Sequence, residues 1–261
     1  MKKIGIVGGI TWRAAAEYYV EICHRAEEKR LVGKLPGTPS TPEMAIESLD
    51  AAKAVSLLGK GDDERCWRGF DEYYHAALQR LEAGGAQAAV LTCNTAHHRF
   101  EEIVRGVRMP VISILDAAAQ EGVRIGARQM LILGSALTMR SARVRGAFAK
   151  HGIELAGPRS ESARAATIAL IEKLERGRVK GAMTRLGRIA RLSWPFAGEP
   201  VVCLAHPELA MTFPVSRMKP SFKYGGVTYV NSMAAHIATL LEYVGMEREQ
   251  KTGPATGSGP A

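Results

Sequence analysis

The chain has 261 residues, of which 46% are hydrophobic and 23% are charged, a composition typical of globular proteins and not of disordered, collagenous or coiled-coil chains. Lys and Arg number 35 against 26 Asp and Glu, and this net charge of +9 suits an anionic ligand. The Arg residues are spread along the chain and only 6% of residues are aromatic, so the composition does not favour nucleic-acid binding.

Short apolar runs that end in Gly, Ser or Asn alternate along the chain with longer segments of helical period. The predicted strands are Ile4–Val7, Met44–Ser48, Ala88–Leu91, Val111–Ile114, Met130–Leu133, Val201–Leu204 and Val227–Val230. The predicted helices are Arg13–Lys29, Asp63–Ala83, Ile114–Ala127, Ser141–His151, Ala163–Arg176, Val179–Leu192 and Ser232–Gly245. Because buried parallel strands are continuous apolar runs and alternate with covering helices, the pattern predicts an α/β protein.

Two parts of the chain follow the same order of elements. An apolar strand enters a glycine-containing turn at Ile4–Gly9 and again at Met130–Ser135. Each is followed by a further strand that ends in polar residues, at Val90–Thr95 and at Val202–Glu208. We therefore predict two pseudo-symmetric lobes, each a mostly parallel sheet flanked by helices, with the active site between them. The predicted boundaries are 1–98 plus 208–246 for the first lobe, 99–207 for the second lobe, and 247–261 for a disordered tail.

The first strand ends in Gly8 and Gly9. A dinucleotide-binding fingerprint needs a third glycine after them, and Ile10, Thr11 and Trp12 stand there instead, so a dinucleotide site is not predicted. The glycines still allow a ligand to approach the backbone closely, and the first amides of the following helix favour an anion such as a carboxylate.

Cys93 follows the predicted strand Ala88–Leu91, and Asn94 and Thr95 come directly after it. Hydrogen-bond donors and the start of a helix lower the pKa of a thiol, so we interpret Cys93 as a nucleophile or a proton-transfer base. His206 occupies the matching place in the second lobe and is interpreted as an acid or base.

The remaining cysteines and histidines are assigned supporting roles. For His97 and His98, which follow Cys93, a supporting or capping role is favoured over metal binding. A zinc site made of Cys93, His97 and His206 is the less favoured alternative. No Cys-x-x-Cys pair and no secretory signal are present, so we expect free thiols in a reducing cytoplasm. No apolar run approaches the roughly 18 residues of a membrane-spanning helix, and no membrane contact is expected.

Together these motifs resemble those of the aspartate/glutamate racemase superfamily, from about residue 3 to about residue 245. The segments that carry the resemblance are Ile4–Trp12, Glu17–Tyr19, Thr92–His97, Pro110–Ile112, Leu115–Ala117 and Leu133–Ser135 with Thr138 and Met139. The resemblance implies two pseudo-symmetric lobes, no pyridoxal phosphate, no metal, and two cysteines that face each other across the α-carbon of a small carboxylate substrate. It implies that one thiolate removes the α-proton and that the other thiol returns a proton to the opposite face.

By this resemblance Cys93 is the catalytic cysteine of the first lobe, and Asn94 and Thr95 hold the α-carboxylate of the substrate. Arg164 lies near a position at which aspartate-specific members carry a basic group for the side-chain carboxylate. The full set of predicted substrate-binding residues is Gly8, Gly9, Thr11, Asn94, Thr95, Ser135, Thr138 and Arg164. Because members of the superfamily are often dimers, a homodimer is also expected.

The second motif departs from the family pattern. Where the family has Leu-Gly-Cys-Thr-Glu-Leu, this chain has Leu-Ala-His-Pro-Glu-Leu at 204–209, so His206 stands in the cysteine slot and Pro207 in a carboxylate-binding Thr slot. Proline cannot donate a hydrogen bond there. Cys203 lies three residues before His206, and an odd offset along a strand turns its side chain to the opposite face.

Three functional interpretations remain open. A Cys93/His206 pair can carry out two-base racemisation or epimerisation of an amino acid or related carboxylate, and this is the favoured interpretation. A single catalytic cysteine also suits relatives in the superfamily that decarboxylate disubstituted malonates or isomerise maleate. Loss of the second cysteine also suits a non-catalytic carboxylate-binding module, which is the least favoured of the three because binding alone does not require the retained Cys93.

Overall fold

The computed structural model describes residues 2–32, 41–60, 63–214 and 218–245. These residues form an α/β protein with two mostly parallel sheets, each flanked by helices, so the predicted fold class is confirmed. The predicted tail at 247–261 lies outside the described residues. Across the part of the chain that is described, no helix combines the length and apolar character needed to cross a bilayer.

The first sheet contains four parallel strands in the order β2-β1-β3-β4. Its strands are β1 (Ile4–Gly8), β2 (Met44–Ser48), β3 (Ala88–Leu91) and β4 (Val111–Ile112). The residues of β1 and β3 are buried, as the continuous apolar runs predict for the central strands of a covered sheet.

The second sheet contains five strands in the order β6-β5-β7-β9-β8. Its strands are β5 (Gln129–Gly134), β6 (Glu154–Ala156), β7 (Val201–Ala205), β8 (Ser221–Tyr224) and β9 (Val227–Asn231). Four strands are parallel, and β8 pairs antiparallel with β9 at the edge. The order β6-β5-β7-β9 repeats the order β2-β1-β3-β4 of the first sheet, which is the pseudo-symmetry that the sequence predicts.

Helices cover both sheets. They are α1 (Trp12–Val32), α2 (Ala51–Ser56), α3 (Glu64–Ala83), α4 (Phe100–Ile103), α5 (Ile114–Arg124), α6 (Ala136–Arg140), α7 (Ala142–Ala149), α8 (Glu161–Glu175), α9 (Ala182–Ser193), α10 (Pro207–Met211) and α11 (Ser232–Tyr243), with a 3₁₀ turn at Ala96–Arg99.

Short polar residues connect strand ends to helix starts. The Oγ of Ser113 accepts a hydrogen bond from the backbone N–H of Asp116, and the Oγ of Ser135 accepts one from the N–H of Thr138. Such N-caps satisfy N–H groups that have no partner inside a helix. The predicted strand Val111–Ile114 therefore stops at Ile112, because Ser113 already caps α5.

The sheets divide the chain at other points than the predicted lobe boundaries. The strand β4 pairs with β3, so the first lobe extends past residue 98. The strand β9 pairs with β7 and β8 pairs with β9, so this part of 208–246 belongs to the second lobe and not to the first. The helix α11 does return to the first lobe, where Met233 and Ile237 pack in one apolar cluster with Ile4 and Val90.

The lobes are connected in two ways. The chain passes from the first sheet to the second along α5 and returns along α11, and these two helices pack against each other. Arg143 of α7 also reaches across to the first lobe, where its guanidinium lies 2.5 Å from Glu64 and 2.7 Å from Glu102. Its two carboxylate partners also surround the buried Arg99, whose guanidinium is hydrogen-bonded to Asp71.

Candidate active site

The carboxyl ends of β1, β3, β5 and β7 bring together most of the residues that the sequence singles out. Gly9 and Thr11 follow β1, Cys93 follows β3, Ser135 follows β5, and His206 follows β7. Side chains from the two lobes touch here, since the hydroxyl oxygens of Thr95 and Ser135 lie 3.3 Å apart. The cleft between two sets of parallel strand ends is where a ligand site is expected in such a fold.

Cys93 is buried, with 8% of its surface exposed. Burial raises the pKa of its thiol and the negative charge of Glu208 raises it further, while hydrogen bonds from the backbone N–H groups of Ala96 and Thr95 and from the Thr95 hydroxyl act in the opposite direction. The net effect is a raised pKa. Cys93 is therefore a thiol at neutral pH in this structure, and its thiolate, once formed, is a strong base held by three donors.

A line of hydroxyl groups leads from the second lobe to Cys93. The Oγ of Ser135 lies 2.9 Å from Oγ1 of Thr138 and 3.3 Å from Oγ1 of Thr95. Since Ser135 already accepts the N–H of Thr138, its own proton is free to point to Thr95. The hydroxyl of Thr95 can then donate to the Cys93 thiolate, so the predicted residues Thr95, Ser135 and Thr138 form one connected group.

Asn94 faces the same cleft. Its Nδ2 donates to Oγ of Ser232 at 3.3 Å, and Ser232 in turn donates to the carbonyl oxygen of Leu204 at 2.9 Å. The amide is thereby oriented, and its buried Oδ1 has no hydrogen-bond partner among the described residues. A buried acceptor without a partner is unusual in a native structure and is typical of a ligand site.

His206 lies between two carboxylates. Its Nδ1 is 2.7 Å from Oε2 of Glu208, close enough for a hydrogen bond but not aligned for one, and its Nε2 is 4.0 Å from Oε1 of Glu175. Burial would raise the pKa of Glu208, but His206 and the positive charge of Arg13 hold that pKa below its usual range. Glu208 is therefore an ionised carboxylate beside the imidazole of His206.

Glu208 and Tyr74 are two residues of the site that the sequence analysis does not include. Glu208 lies two positions after His206, with Oε2 at 2.7 Å from Nδ1 of His206, and its negative charge is one of the influences on the pKa of Cys93. Tyr74 comes from α3. Its buried hydroxyl has no hydrogen-bond partner among the described residues, it packs against Gly9, and its pKa is raised by burial and by the nearby Cys93. Nothing near Tyr74 in the sequence distinguishes it from the core residues of the same helix face.

His97 has a structural role, in agreement with the supporting role predicted for it. Its Nε2 accepts a hydrogen bond from the N–H of Ile114, so its Nδ1 carries the proton and donates to the carbonyl oxygen of Cys93 at 2.9 Å. Burial lowers the pKa of His97 to about 4, so the ring is neutral near pH 7. Among the described residues, no three His, Cys, Asp or Glu side chains come together in a way that could hold a metal ion.

His236 is a second neutral histidine near the site. Its Nε2 donates to the carbonyl oxygen of Ile112 at 2.9 Å, so its Nδ1 accepts the hydroxyl of Tyr18 at 2.7 Å. Burial lowers the pKa of His236 to about 3. Both rings fix the backbone around β4 and Cys93, and neither is suited to carry a proton to a substrate.

Two predicted positions are placed at the margin of the site. Thr11 is half-buried and directly precedes α1. Arg164 bonds through its guanidinium to Glu161 and to the carbonyl oxygens of Pro158 and Arg159. The guanidinium group of Arg164 is therefore hydrogen-bonded to neighbouring residues of its own segment. Its role in substrate binding stays a prediction.

Cys203 faces away from the cleft. It is 1% exposed and belongs to the apolar cluster of Ile132 and Val230, and burial raises the pKa of its thiol to about 12. The argument from strand offset is thus consistent with the structure, and Cys203 does not replace the second family cysteine.

Comparisons with known proteins find similarity to Asp/Glu racemases. The family model described as Asp/Glu/Hydantoin racemase matches residues 7–240. An aspartate racemase homologue from Pyrococcus horikoshii is similar with a TM-score of 0.72 and 26% identity, over 93% of this chain and 99% of that chain. A putative Asp/Glu racemase from Yersinia pestis gives a TM-score of 0.76 at 22% identity, over 93% and 99%.

A variant of arylmalonate decarboxylase gives a TM-score of 0.55 at 14% identity, over 96% of this chain and 97% of that chain. At this identity the likeness shows a shared fold and nothing about the reaction. The two-lobed architecture thus occurs both in racemases and in a decarboxylase.

Proposed function

The chain belongs to the Asp/Glu/hydantoin racemase family, and we propose that it is a cofactor-independent racemase or epimerase that acts at the α-carbon of an amino acid or related carboxylate. The observation that carries this proposal is the placement of two proton carriers in opposite lobes. Cys93 follows β3, His206 follows β7, and the charge of Glu208 beside His206 acts on Cys93 across the cleft.

The proposed mechanism uses the two groups in turn. In one direction the Cys93 thiolate removes the α-proton, which leaves a carbanion whose charge spreads into the carboxylate, and the protonated His206 delivers a proton to the opposite face. In the other direction neutral His206 takes the proton and the Cys93 thiol returns one. Each turnover moves one proton onto one side chain and one proton off the other, so no net proton is gained or lost.

The environment of each group supports its proposed task. The α-proton of an amino acid is very weakly acidic, so a desolvated thiolate with a raised pKa is a better base than an exposed one. For His206, the ionised Glu208 next to Nδ1 stabilises the imidazolium and leaves Nε2 for proton exchange.

The substrate carboxylate is proposed to bind to Asn94, Thr95, Ser135 and Thr138. The cleft offers hydroxyl and amide donors there, and a carboxylate can accept several of them at once. Binding would exchange the contact between Thr95 and Ser135 for contacts with the ligand. Gly8, Gly9 and Thr11 are proposed to complete the pocket from the side of β1. Arg164 would contact an acidic substrate side chain only after leaving Glu161.

Proton NMR in D₂O tests the proposal directly. The wild-type protein is incubated with a panel of amino acids, disubstituted malonates and maleate, and deuteration at the α-carbon is followed together with optical purity. We expect deuteration and loss of optical purity for an amino acid or related carboxylate. Cys93→Ala and His206→Ala are expected to abolish racemisation. The control is Cys203→Val, which changes a buried cysteine of β7 that faces away from the cleft and should retain racemisation.

A second candidate function is favoured by one specific observation, the presence of a single cysteine in the two family cysteine slots. A decarboxylase of disubstituted malonates or an isomerase of maleate needs one cysteine and a pocket for an oxyanion. In that case Cys93→Ala is inactive while His206→Ala keeps part of its turnover of the diacid. Substantial racemisation by a folded His206→Ala protein rejects the two-base proposal. If the wild-type protein converts no compound of the panel, a carboxylate-binding module is favoured instead.

A further inference from the structure

A surface groove of about 460 Å³ lies between α8 and α9, and its lining shares no residue with the candidate active site. This volume falls within the range of about 300 to 1,000 Å³ that is typical of small-molecule sites. The groove is formed entirely within the second lobe, by two helices joined through the short connection 176–181. Helices joined by so short a connection pack antiparallel, so the end of α8 lies beside the start of α9.

The floor and walls of the groove are apolar. Small side chains on α8, Ala166 and Ala169, leave space beside Leu170, and on α9 the side chain of Ile189 borders the groove. Leu192 is 75% exposed at the far end. Leu192 thus continues the apolar surface of the groove at this end.

Cations lie along the same groove. Lys173 and Arg185 stand at the end where the two helices connect, and Arg188 stands midway on α9. None of the three forms an ion pair with another described residue. From 176 to 198 the chain contains six Lys and Arg and no Asp or Glu, so no acidic neighbour in this stretch neutralises them.

Ser193 lies at the end of the groove that is remote from the cations. It lines the groove at the end opposite Lys173, it is 6% exposed, and its buried Oγ has no hydrogen-bond partner among the described residues. A hydroxyl of this kind is commonly satisfied by an ordered water, and the carboxylate of a ligand held at the cationic end would not reach it. The distance along α8 from Ser162 to Lys173 is about 16 Å, which leaves room for the extended chain of a ten-carbon ligand.

We propose that the α8–α9 groove binds a medium-chain aliphatic carboxylate, with its carboxylate at Lys173, Arg185 and Arg188 and its chain along the alanine floor. The guanidinium groups match a carboxylate in geometry as well as in charge. A second copy of this chain is a poor occupant, because the net charge of +9 and the cations of the groove oppose contact between copies.

Isothermal titration of the full-length protein with decanoate, below the concentration at which decanoate forms micelles, tests the proposal. We expect saturable binding of one decanoate per chain. Butyrate, which has the charge without the chain, and decanol, which has the chain without the charge, should each bind at least tenfold more weakly. Equal binding of butyrate and decanoate, or no saturable binding of decanoate, would overturn the proposal.

Variants locate the site. Arg185→Glu combined with Arg188→Glu should weaken decanoate at least tenfold, and Ala169→Trp, which fills the groove without a change of charge, should do the same. The matched control is Arg105→Glu with Arg108→Glu, which alters the net charge equally on an exposed part of the first lobe. A loss in this control equal to the loss in the groove variant would show general electrostatic attraction and would reject the groove.

Two further experiments distinguish decanoate binding in the α8–α9 groove from binding in the cleft between the lobes and from binding to a membrane surface. Alkylation of Cys93 with iodoacetamide blocks the cleft between the lobes, and decanoate binding should survive it unchanged. Loss of binding after alkylation would place decanoate in the cleft and overturn the proposal, whatever the outcome for the proposed racemase activity. Binding to anionic phospholipid vesicles without binding of free decanoate would also overturn it in favour of a membrane surface.

Discussion

The negative charge of Glu208 reaches Cys93 across the cleft between the two lobes and raises the pKa of its thiol. The same carboxylate lies 2.7 Å from Nδ1 of His206, so one buried anion acts on both proposed proton carriers. An anion in this position opposes ionisation of the thiol and makes the thiolate, once formed, a stronger base.

Glu208→Gln is expected to lower the pKa of Cys93, because it removes a negative charge that opposes thiolate formation. The measurement is the pH titration of thiolate ultraviolet absorbance in a background of Cys23→Ser and Cys66→Ser, which leaves Cys203 with its pKa near 12. Glu199→Gln, at an exposed carboxylate paired with Lys223, makes the same charge change far from the cleft and should leave the titration in place. An unchanged or higher pKa for Cys93 in the Glu208 variant would contradict the electrostatic link.

Thr95→Val is expected to shift the same titration in the opposite direction. The variant keeps the shape of the side chain but removes the hydroxyl whose hydrogen bond lowers the pKa of Cys93, so the pKa should rise. Iodoacetamide alkylation of Cys93 at neutral pH should slow accordingly, since the thiolate is the reactive form. Thr239→Val, whose hydroxyl bonds only within α11 at Ala235, serves as the control. A thiol that alkylates faster in the Thr95 variant would refute the assigned direction.

Acid should destabilise the protein before its carboxylates titrate. His97 and His236 have folded-state pKa values of about 4 and about 3 against 6.5 when unfolded, so between these values the unfolded chain binds more protons. Stability is therefore full above pH 6.5 and is lost as the pH falls, by about 2 kcal/mol for each histidine between pH 7 and pH 5. Urea unfolding across this range measures it. His97→Gln should flatten the pH dependence relative to its own value at pH 7, whereas His24→Gln, at an exposed position, should not.

Gly9→Ala should damage the site through steric overlap with Tyr74. A Cβ at position 9 would lie 2.0 Å from the Tyr74 hydroxyl oxygen and 2.9 Å from Cζ, so the ring must move. We expect a loss of about 1 to 3 kcal/mol in the free energy of unfolding, measured by urea. Gly146→Ala is the matched control, since nothing lies within 4 Å of its added Cβ in α7, and it should be neutral or stabilising by up to about 1 kcal/mol. Equal stability of the Gly9 variant and the wild type would show that Tyr74 is not fixed against the turn.

The sequence is sufficient to predict the buried strands β1, β3, β5 and β7, because a buried strand leaves a continuous apolar run. The strands β6 and β8 leave no such pattern. β6 has three residues with an exposed Glu154, and β8 ends in the exposed Lys223 and Tyr224, so neither carries a continuous apolar signal. The predicted lobe boundaries differ from the observed ones for a related reason. The pairing of β9 with β7 is a tertiary contact, and the composition of the two strands does not predict it.

The sequence predicts some residues of the candidate site and misses others. Cys93, Asn94 and His206 are found from the sequence because each stands directly after an apolar strand, where a polar side chain faces a cleft. Tyr74 is not found, because it lies on the apolar face of a helix and reaches the cleft only through the packing of α3 on β1. Glu208 is adjacent in sequence, yet its importance rests on a buried position that only the packed structure gives.

The way in which the lobes are joined has a mechanical consequence. On one side they share the packed pair of α5 and α11, and on another Arg143 is held by Glu64 and Glu102 through ion pairs that remain partly open to water. Dissolved salt screens exposed charges and leaves apolar packing intact. Salt is therefore expected to weaken the ion pairs of Arg143 while the packing of α5 against α11 is retained, so the two connections between the lobes differ in how they respond to ionic strength.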